Sequence, residues 1–270
     1  MADSFPPDTG APEPERSGAF DKDPGSPTAR VAGPTCSAVV PVYNEQDSLE
    51  ILCRELMAAL SAMGAWFEII FVNDGSTDET GGILESFVRR YGDRVRVVSS
   101  SRRTGQTAAL KRGIDAARGE VLITLDADLQ NDPADIPLLV ERLKQGYDVV
   151  CGWRKARRDK PLKTFLSQLA NRLQRLLSGL KIHDVSCTLR VYRRTCLAQL
   201  PLDREGEHRF IPLILSLQGY RISEIEAHHR PRRFGQSKYN HKRAFKVIAD
   251  FVRILFTSKR LKRAEQGELP

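Results

Sequence analysis

Short apolar runs alternate with amphipathic segments after the first 34 residues, and this alternation limits the fold more than any other feature of the 270-residue chain. The runs CSAVVP at 36–41, WFEIIFVN at 66–73 and EVLITL at 120–125 predict buried strands. Helical periodicity over 45–63 and 105–118 predicts helices between strands. Repeated β-α units of this kind predict an α/β fold with a mostly parallel central sheet flanked by helices.

The remaining elements follow the same order and become less regular beyond residue 151. We expect further strands at 94–99, 147–151, 187–192 and 220–227, and further helices from Asp78, from Asp132 and over 161–179, 208–218 and 240–258. Ser76 and Glu79 stand at capping-box spacing, whereas Asp132 and Pro133 fit the N-cap and first position of a helix. The pattern predicts one domain over 35–239 and a terminal segment at 240–270.

Composition excludes several classes of protein. The first 34 residues hold seven of the fifteen prolines and few large apolar side chains, so we expect a disordered tail at 1–34. The five cysteines are odd in number and lack a C-x-x-C pair, which predicts reduced thiols rather than disulfides or a zinc site. Neither a spanning helix of about 18 apolar residues nor a signal peptide is predicted, so we do not expect secretion or membrane spanning.

The positive charge of the chain, a net +8, is concentrated in two clusters. Residues 153–194 and 228–263 each contain twelve lysines and arginines, against two acids and one acid respectively. Such clusters favour phosphate groups on nucleotides, lipids or nucleic acids. A nucleic-acid interface would interleave aromatic and basic residues, and the first cluster offers little beyond Phe165 and Tyr192. We therefore predict a phosphate-bearing ligand and no nucleic-acid partner.

The segment after the strand at 120–125 predicts a metal site. In an extended chain, alternate residues project to one face, which would place Asp126, Asp128 and Gln130 together. Three hard oxygen donors suit Mg²⁺ or Mn²⁺, with coordination positions left for water and substrate phosphates. The alternative is that these side chains cap the next helix and face water. Because the D-x-D follows a buried strand directly, we favour the metal site.

Residues after the first two strands predict nucleotide recognition. Asp74 could accept a hydrogen bond from a base, or belong to a turn in which Gly75 supplies a positive φ. Tyr43 could stack on a base or pack, and Glu45 could bind the nucleoside or favour its helix N-terminus. In an open parallel sheet these residues and the D-x-D should meet at the carboxyl edge of the strands, where ligands bind.

Four motifs together resemble family-2 glycosyltransferases, and within that family the polyprenyl- and dolichyl-phosphate sugar transferases. They are P-V-Y-N-E at 41–45, V-N-D-G-S-T-D at 72–78, R-x-x-G-Q-T-A-A-L-x-x-G at 102–113 and D-A-D-L-Q-x-x-P at 126–133. The resemblance spans about 36–240. It implies a GT-A (Rossmann-like) nucleotide-sugar-binding fold, a cation held by Asp126 and Asp128 with Gln130 beside it, base recognition by Asp74, and Pro41, Tyr43 and Glu45 around the nucleoside.

The same resemblance extends to an acceptor site. It implies that Arg154, Lys163 and Ser167 contact the lipid phosphate, and that Arg232, Ser237 and Lys238 close over the sugar diphosphate. Lys163 departs from the arginine common at its position, which replaces a bidentate contact by a point charge. Asp184 stands in D-V-S-C-T-L-R-V-Y, and we leave open whether it contacts sugar hydroxyls or pairs with Arg190. His208 is a weaker candidate for the sugar or diphosphate.

The predicted terminal helix has a narrow polar stripe in an otherwise apolar surface. The stripe consists of Lys246, Asp250, Arg253 and Thr257. Such a helix could lie in an anionic membrane surface, pack on the catalytic domain, or bind a separate membrane subunit. Together with the resemblance, it predicts a cytoplasmic enzyme that is peripheral at the inner face of the cytoplasmic membrane.

We therefore expect an inverting glycosyltransferase that moves a sugar from a nucleotide-diphosphate sugar to a polyprenyl or dolichyl phosphate, with Asp126, Asp128 and Arg154 in catalytic roles. A phosphate acceptor is already an anionic nucleophile, so the enzyme needs cations rather than a general base. One alternative is transfer to a hydroxyl of a saccharide or protein, with His208 or Asp184 as base. Others are a nucleotidyltransferase and, in another class, a basic nucleic-acid-binding module.

Overall fold

The computed structural model describes residues 35–155, 182–198, 200, 202–234 and 253. Predictions for the tail at 1–34, for the helix at 161–179 and for the terminal segment other than Arg253 lie outside these residues. Among the described residues, no helix is both long enough and apolar enough to cross a membrane.

Within the described ranges, seven strands form one sheet in the order β3-β2-β1-β4-β6-β5-β7. Their bounds are Cys36–Val42 (β1), Phe67–Asn73 (β2), Val95–Ser99 (β3), Val121–Thr124 (β4), Val149–Trp153 (β5), Arg190–Arg193 (β6) and Ile222–Glu226 (β7). Strand β6 is antiparallel to β4 and to β5, whereas all other pairs are parallel. The prediction of an α/β fold with a mostly parallel sheet is confirmed.

Helices cover both faces of the sheet, and the sheet divides the core into two layers. Their bounds are Leu49–Ser61 (α1), Thr80–Tyr91 (α2), Gln106–Ala116 (α3), Ile136–Lys144 (α4) and Ile211–Leu217 (α5). Alternate residues of β1 enter opposite layers: Ala38 and Val40 pack with α1, α2 and α4, whereas Val39 packs with α3 and α5. Because both faces are covered, the central strands β1 and β2 are mostly apolar rather than alternating.

Two helix starts test the capping predictions. The Asp132 side chain accepts a hydrogen bond from the Ala134 backbone N–H, with Pro133 next in the chain, so the predicted N-cap is confirmed, and a short 3₁₀ turn leads into α4. The capping box at Ser76 and Glu79 is wrong. Helix α2 begins at Thr80, and the Ser76 Oγ instead accepts a hydrogen bond from the Asn44 backbone N–H.

All five cysteines are free thiols and are buried. Burial raises the pKa of the Cys53 and Cys151 thiols to about 12 and that of Cys187 to about 11. The thiolate form is therefore suppressed, and these side chains act as small apolar groups of the core.

The neighbours of β1 determine where a ligand can bind. Strand β1 pairs with β2 on one side and with β4 on the other, so the sheet order reverses at this strand. In open α/β sheets, the crevice beyond the carboxyl ends of strands at such a reversal is the usual ligand site. The residues after β1, β2 and β4 therefore share one edge, as the sequence predicted.

Candidate active site

The loops after β1 and β2 are joined by hydrogen bonds. The Asn44 side chain donates from Nδ2 to Thr77 Oγ1 at 3.2 Å and accepts from the Thr77 backbone N–H at 2.9 Å. The backbone N–H of Glu45 donates to Thr80 Oγ1 at 3.1 Å, which ties this loop to the start of α2. The two loops therefore form one rigid wall of the crevice, with Pro41, Tyr43 and Glu45 along it.

Asp126 and Asp128 follow β4 on the opposite side of β1. Asp128 is buried, with 8% of its surface exposed, and Asp126 is partly buried. Burial, followed by the negative charge of Asp128, raises the pKa of Asp126 to about 6, against smaller opposing effects of Thr188, Arg154 and Arg209. The charge of Asp128 thus disfavours the charged form of Asp126, and a divalent cation between them would relieve that repulsion.

The extended geometry predicted for 126–130 is wrong. Strand β4 ends at Thr124, and the chain turns at Leu129, whose φ is +61°. The backbone N–H of Gln130 donates to Asp128 Oδ1 at 3.2 Å, and the Gln130 carbonyl accepts from the Arg230 backbone N–H at 2.9 Å. Alternation along a strand therefore does not bring Gln130 beside the two carboxylates, and its role as a metal ligand stays a prediction.

Asp74 is buried and its carboxylate accepts hydrogen bonds from four donors of its own chain. They are the backbone N–H and the Oγ1 of Thr104, the backbone N–H of Gly105 and the Nη2 of Arg112, at 2.5 to 3.1 Å. Burial would raise the pKa of Asp74, but these bonds outweigh it and lower the pKa. Because a carboxylate offers about four acceptor positions, a base N–H would have to displace one of these donors.

The turn after Asp74 requires a glycine, and the neighbouring Arg103 makes a cation–π contact. Gly75 has φ +68°, and a Cβ there would lie 2.5 Å from the Arg102 carbonyl carbon, so only glycine fits against the 102–103 backbone. The guanidinium of Arg103 lies 4.2 Å from the centre of the Tyr43 ring. The predicted stacking residue Tyr43 thus has a cation over its ring.

Residues 228–232 lie across the loop that follows β4. Asn131 and His229 form an antiparallel bridge, and Arg230 pairs with Asp132 at 2.6 Å and with Glu55 at 2.8 Å. Arg232 Nη2 lies 2.5 Å from Asp128 Oδ2. The second basic cluster therefore reaches the D-x-D, as an anion site at this edge requires.

Asp184 pairs with Arg154, not with Arg190. The Nε and Nη2 of Arg154 donate to the two Asp184 oxygens at 2.6 and 3.0 Å, and Ser186 Oγ bonds to both residues. Arg190 is buried and donates to the carbonyl oxygens of Val185 and His208 instead. The alternative of an Asp184–Arg190 pair is wrong. Asp184 instead pairs with Arg154, which lies 30 residues earlier in the chain.

His208 is buried and its Nδ1 lies 2.7 Å from Thr107 Oγ1, near the first turn of α3. Asp126, Gln106, Arg190 and His208 are among the residues that line a small cavity of about 20 Å³, room for about one water molecule. Sequence reasoning missed three residues whose hydrogen bonds hold this part of the site together: Gln106, Thr107 and Glu205. The motif at 102–113 contained the first two, but nothing in the sequence indicated which groups they contact.

The remaining predicted site residues, Lys163, Ser167, Ser237 and Lys238, lie outside the described residues. Of the predicted terminal helix, Arg253 is described, and its Nη2 donates to Glu207 Oε1 at 2.7 Å. At this residue the terminal segment contacts the domain next to His208.

The sheet order and the two carboxylates after β4 are those expected of the GT-A fold. The model of glycosyl transferase family 2 matches residues 37–200, and the chain belongs to this family. It is 41% identical over 224 residues to dodecaprenyl-phosphate galacturonate synthase of Rhizobium johnstonii. It is 40% identical over 222 residues to undecaprenyl-phosphate 4-deoxy-4-formamido-L-arabinose transferase of Pseudomonas paraeruginosa. Each match covers 82% of this chain but 66% and 65% of those proteins, just under two thirds of their length.

Solved structures support the fold. Glucosyl-3-phosphoglycerate synthase of Mycobacterium tuberculosis, in complex with Mn²⁺, uridine diphosphate and glucosyl-3-phosphoglycerate, superposes with a TM-score of 0.63. The match covers 83% of this chain and 81% of that chain at 21% identity. Another complex of the same enzyme contains Mg²⁺ and uridine diphosphate, with a TM-score of 0.62 at 22% identity over 83% and 80% of the two chains. At this identity the likeness establishes the fold alone.

Asp126 and Asp128 fit a divalent cation. The described residues contain no cluster of three or more His, Cys, Asp or Glu side chains suited to a metal. Mg²⁺ is commonly held by one or two carboxylates together with substrate phosphates, and two neighbouring carboxylates match that requirement.

Proposed function

We propose that the chain transfers a sugar from a nucleotide-diphosphate sugar to a polyprenyl phosphate, with Mg²⁺ or Mn²⁺, at the cytosolic face of a membrane. One observation carries the proposal: about 40% identity across 82% of the chain to two enzymes whose names give polyprenyl-phosphate substrates. The geometry at the carboxyl ends of β1 and β4 agrees with this proposal, since two carboxylates lie there beside cationic side chains.

The donor would bind between the loops after β1 and β2 and the D-x-D after β4. Tyr43, Glu45 and Asp74 line the side on which the nucleoside would lie, and Asp126 and Asp128 would hold the cation. When bound, the cation neutralises charge on the diphosphate leaving group. Arg232 lies at Asp128 and can supply a further positive charge to the same leaving group.

The acceptor half needs positive charge and no general base. A phosphate monoester is anionic at neutral pH, so the chain has to hold it close to an equally anionic donor. Arg154 is the described residue suited to this, because Asp184 and Ser186 fix its guanidinium. The bidentate pairing also speaks against Asp184 as the base for a hydroxyl acceptor, since both of its oxygens already accept from Arg154.

Membrane association follows from the acceptor, because a polyprenyl chain stays in the bilayer. The basic cluster at 228–263 suits an anionic membrane surface. Flotation of the full chain with anionic vesicles tests this: we expect binding that weakens as salt rises, and no binding at any salt would contradict a direct contact and favour a separate membrane subunit.

Acceptor choice tests the proposed reaction. The purified chain is incubated with Mg²⁺ or Mn²⁺, labelled nucleotide sugars and either undecaprenyl phosphate or undecaprenol. We expect labelled lipid from the phosphate alone, and product from the free alcohol alone would contradict the proposal. Asp128→Ala should abolish product, whereas Asp115→Ala, at an exposed site on α3, should leave the reaction intact.

A further inference from the structure

Gln106 is the first residue of α3, and its side chain points to the candidate metal site. Its Nε2 donates a hydrogen bond to Asp126 Oδ1 at 2.6 Å. We propose that Gln106 is a positioning residue that holds Asp126 in the orientation needed for the cation. The inference rests on the proposed function, because it presupposes that Asp126 binds a metal.

The chemistry of the side chain suits this role. An amide N–H fixes the direction of a carboxylate without cancelling its negative charge, because the amide is neutral. Arg232 on Asp128 differs, since the guanidinium supplies a charge that competes with a cation. Hydrogen bonds that orient a metal-binding carboxylate from behind are a general feature of metal sites.

Hydrogen bonds to two carboxylates hold the first turn of α3, and this fixes the position of the Gln106 backbone. On one side, Asp74 accepts hydrogen bonds from the backbone N–H groups of Thr104 and Gly105. On the other, Glu205 accepts from the backbone N–H of Thr107 at 3.0 Å. Unpaired N–H groups at a helix N-terminus are thus bound by two carboxylates, an arrangement that the helix dipole also favours.

Gly105 allows this close packing. Its φ is +106°, and a Cβ there would lie 2.5 Å from Glu205 Oε2. The Gly206 backbone N–H also donates to Thr107 Oγ1 at 2.8 Å, so the 205–206 turn contacts α3 at two points. Four consecutive residues, 104 to 107, therefore link the nucleoside-side carboxylate Asp74 to the metal-side carboxylate Asp126 through Gln106.

The test is Mn²⁺ binding to the full chain without nucleotide, measured by electron paramagnetic resonance. Gln106→Met keeps the side-chain length and removes the donor. Gln106→Asn keeps an amide but is one methylene too short for the contact. We expect both variants to bind Mn²⁺ about 10- to 100-fold more weakly than the wild type, the usual effect of removing such a partner.

The matched control is Gln218→Met, an exposed glutamine at the end of α5, which should bind Mn²⁺ like the wild type. Thermal unfolding in EDTA shows which variants are folded. If Gln106→Met does not fold, Gln106→Asn decides the outcome. A purely structural role would lower the unfolding temperature without changing Mn²⁺ affinity. Unchanged affinity in a folded Gln106 variant would overturn this inference alone, whereas a wild type that does not bind Mn²⁺ would overturn it together with the metal dependence of the proposed function.

Discussion

Arg232 Nη2 lies 2.5 Å from Oδ2 of Asp128, so one of the two candidate metal-binding carboxylates already has a cationic partner. The two side chains are 30% and 9% exposed, which leaves the pair only partly screened by water. A divalent cation at Asp128 would therefore compete with Arg232. In the proposed reaction, the guanidinium released from Asp128 would be available to the donor diphosphate.

Removing this charge should strengthen metal binding and weaken donor binding. We expect Arg232→Gln to bind Mn²⁺ about fivefold more tightly without nucleotide, equivalent to about 1 kcal/mol, the upper range for a partly exposed ion pair. Affinity for a nucleoside diphosphate with saturating Mn²⁺ should fall. Isothermal titration calorimetry measures both, with the exposed neighbour Arg233→Gln as control. Weaker Mn²⁺ binding in Arg232→Gln would contradict the competition.

The Arg154–Asp184 pair should contribute to stability as a unit. Asp184→Ala leaves a guanidinium that is 10% exposed without its bidentate partner, and breaking a buried pair in this way costs about 3 to 5 kcal/mol. We expect the double variant Asp184→Ala with Arg154→Met to regain part of that free energy of unfolding. Urea denaturation of the four proteins measures it, and additive effects would show that the pair is not coupled.

The fold was predictable because the strands are buried on both faces. Such strands read as continuous apolar runs, and the β-α alternation then fixes a parallel sheet and brings the residues after β1, β2 and β4 to one edge. Strand β6 was predicted as an element, but its antiparallel direction could not be read from its four residues, since direction depends on the connection that precedes it.

The partners of the site residues were much less predictable. The sequence offers Arg190, six residues along the chain, as an ion-pair partner of Asp184. The actual partner is Arg154, which follows β5. Gln130 was placed by strand alternation, which stops where Leu129 adopts a positive φ. The capping box failed because the Ser76 hydroxyl bonds to Asn44 across the sheet edge. In each case a tertiary contact replaced the local one that the sequence pattern indicated.

Gly105 should tolerate alanine poorly. Its φ of +106° and ψ of +160° are accessible essentially to glycine alone, and a methyl group would meet Glu205. We expect Gly105→Ala to lose about 3 kcal/mol of stability, against about 1 kcal/mol for Gly64→Ala, where φ is +68° and the space around the Cβ is open. Thermal unfolding compares the two, and equal losses would contradict the packing against Glu205.

His228 should titrate above its ordinary range. Its Nδ1 lies 2.7 Å from Asp135 Oδ1, and this hydrogen bond and the charge of Asp135 raise the pKa of His228. Because the pKa is raised in the folded state, the stabilisation is complete below about pH 6.5, the ordinary value, and is lost as the pH rises through the higher pKa. An NMR titration should show the shift in the wild type and its loss in Asp135→Asn. A midpoint for His228 at or below 6.5 would contradict the pairing.

Binding of a nucleoside diphosphate should depend on a divalent cation held by the two carboxylates after β4. Calorimetric titrations with uridine, guanosine, adenosine and cytidine diphosphates, with and without Mn²⁺, compare the wild type with Asp126→Asn and with the surface control Asp115→Asn. We expect that Mn²⁺ strengthens binding of at least one nucleotide to the wild type and to Asp115→Asn, and that Asp126→Asn loses this effect. Equal metal-dependent binding by Asp126→Asn would contradict it.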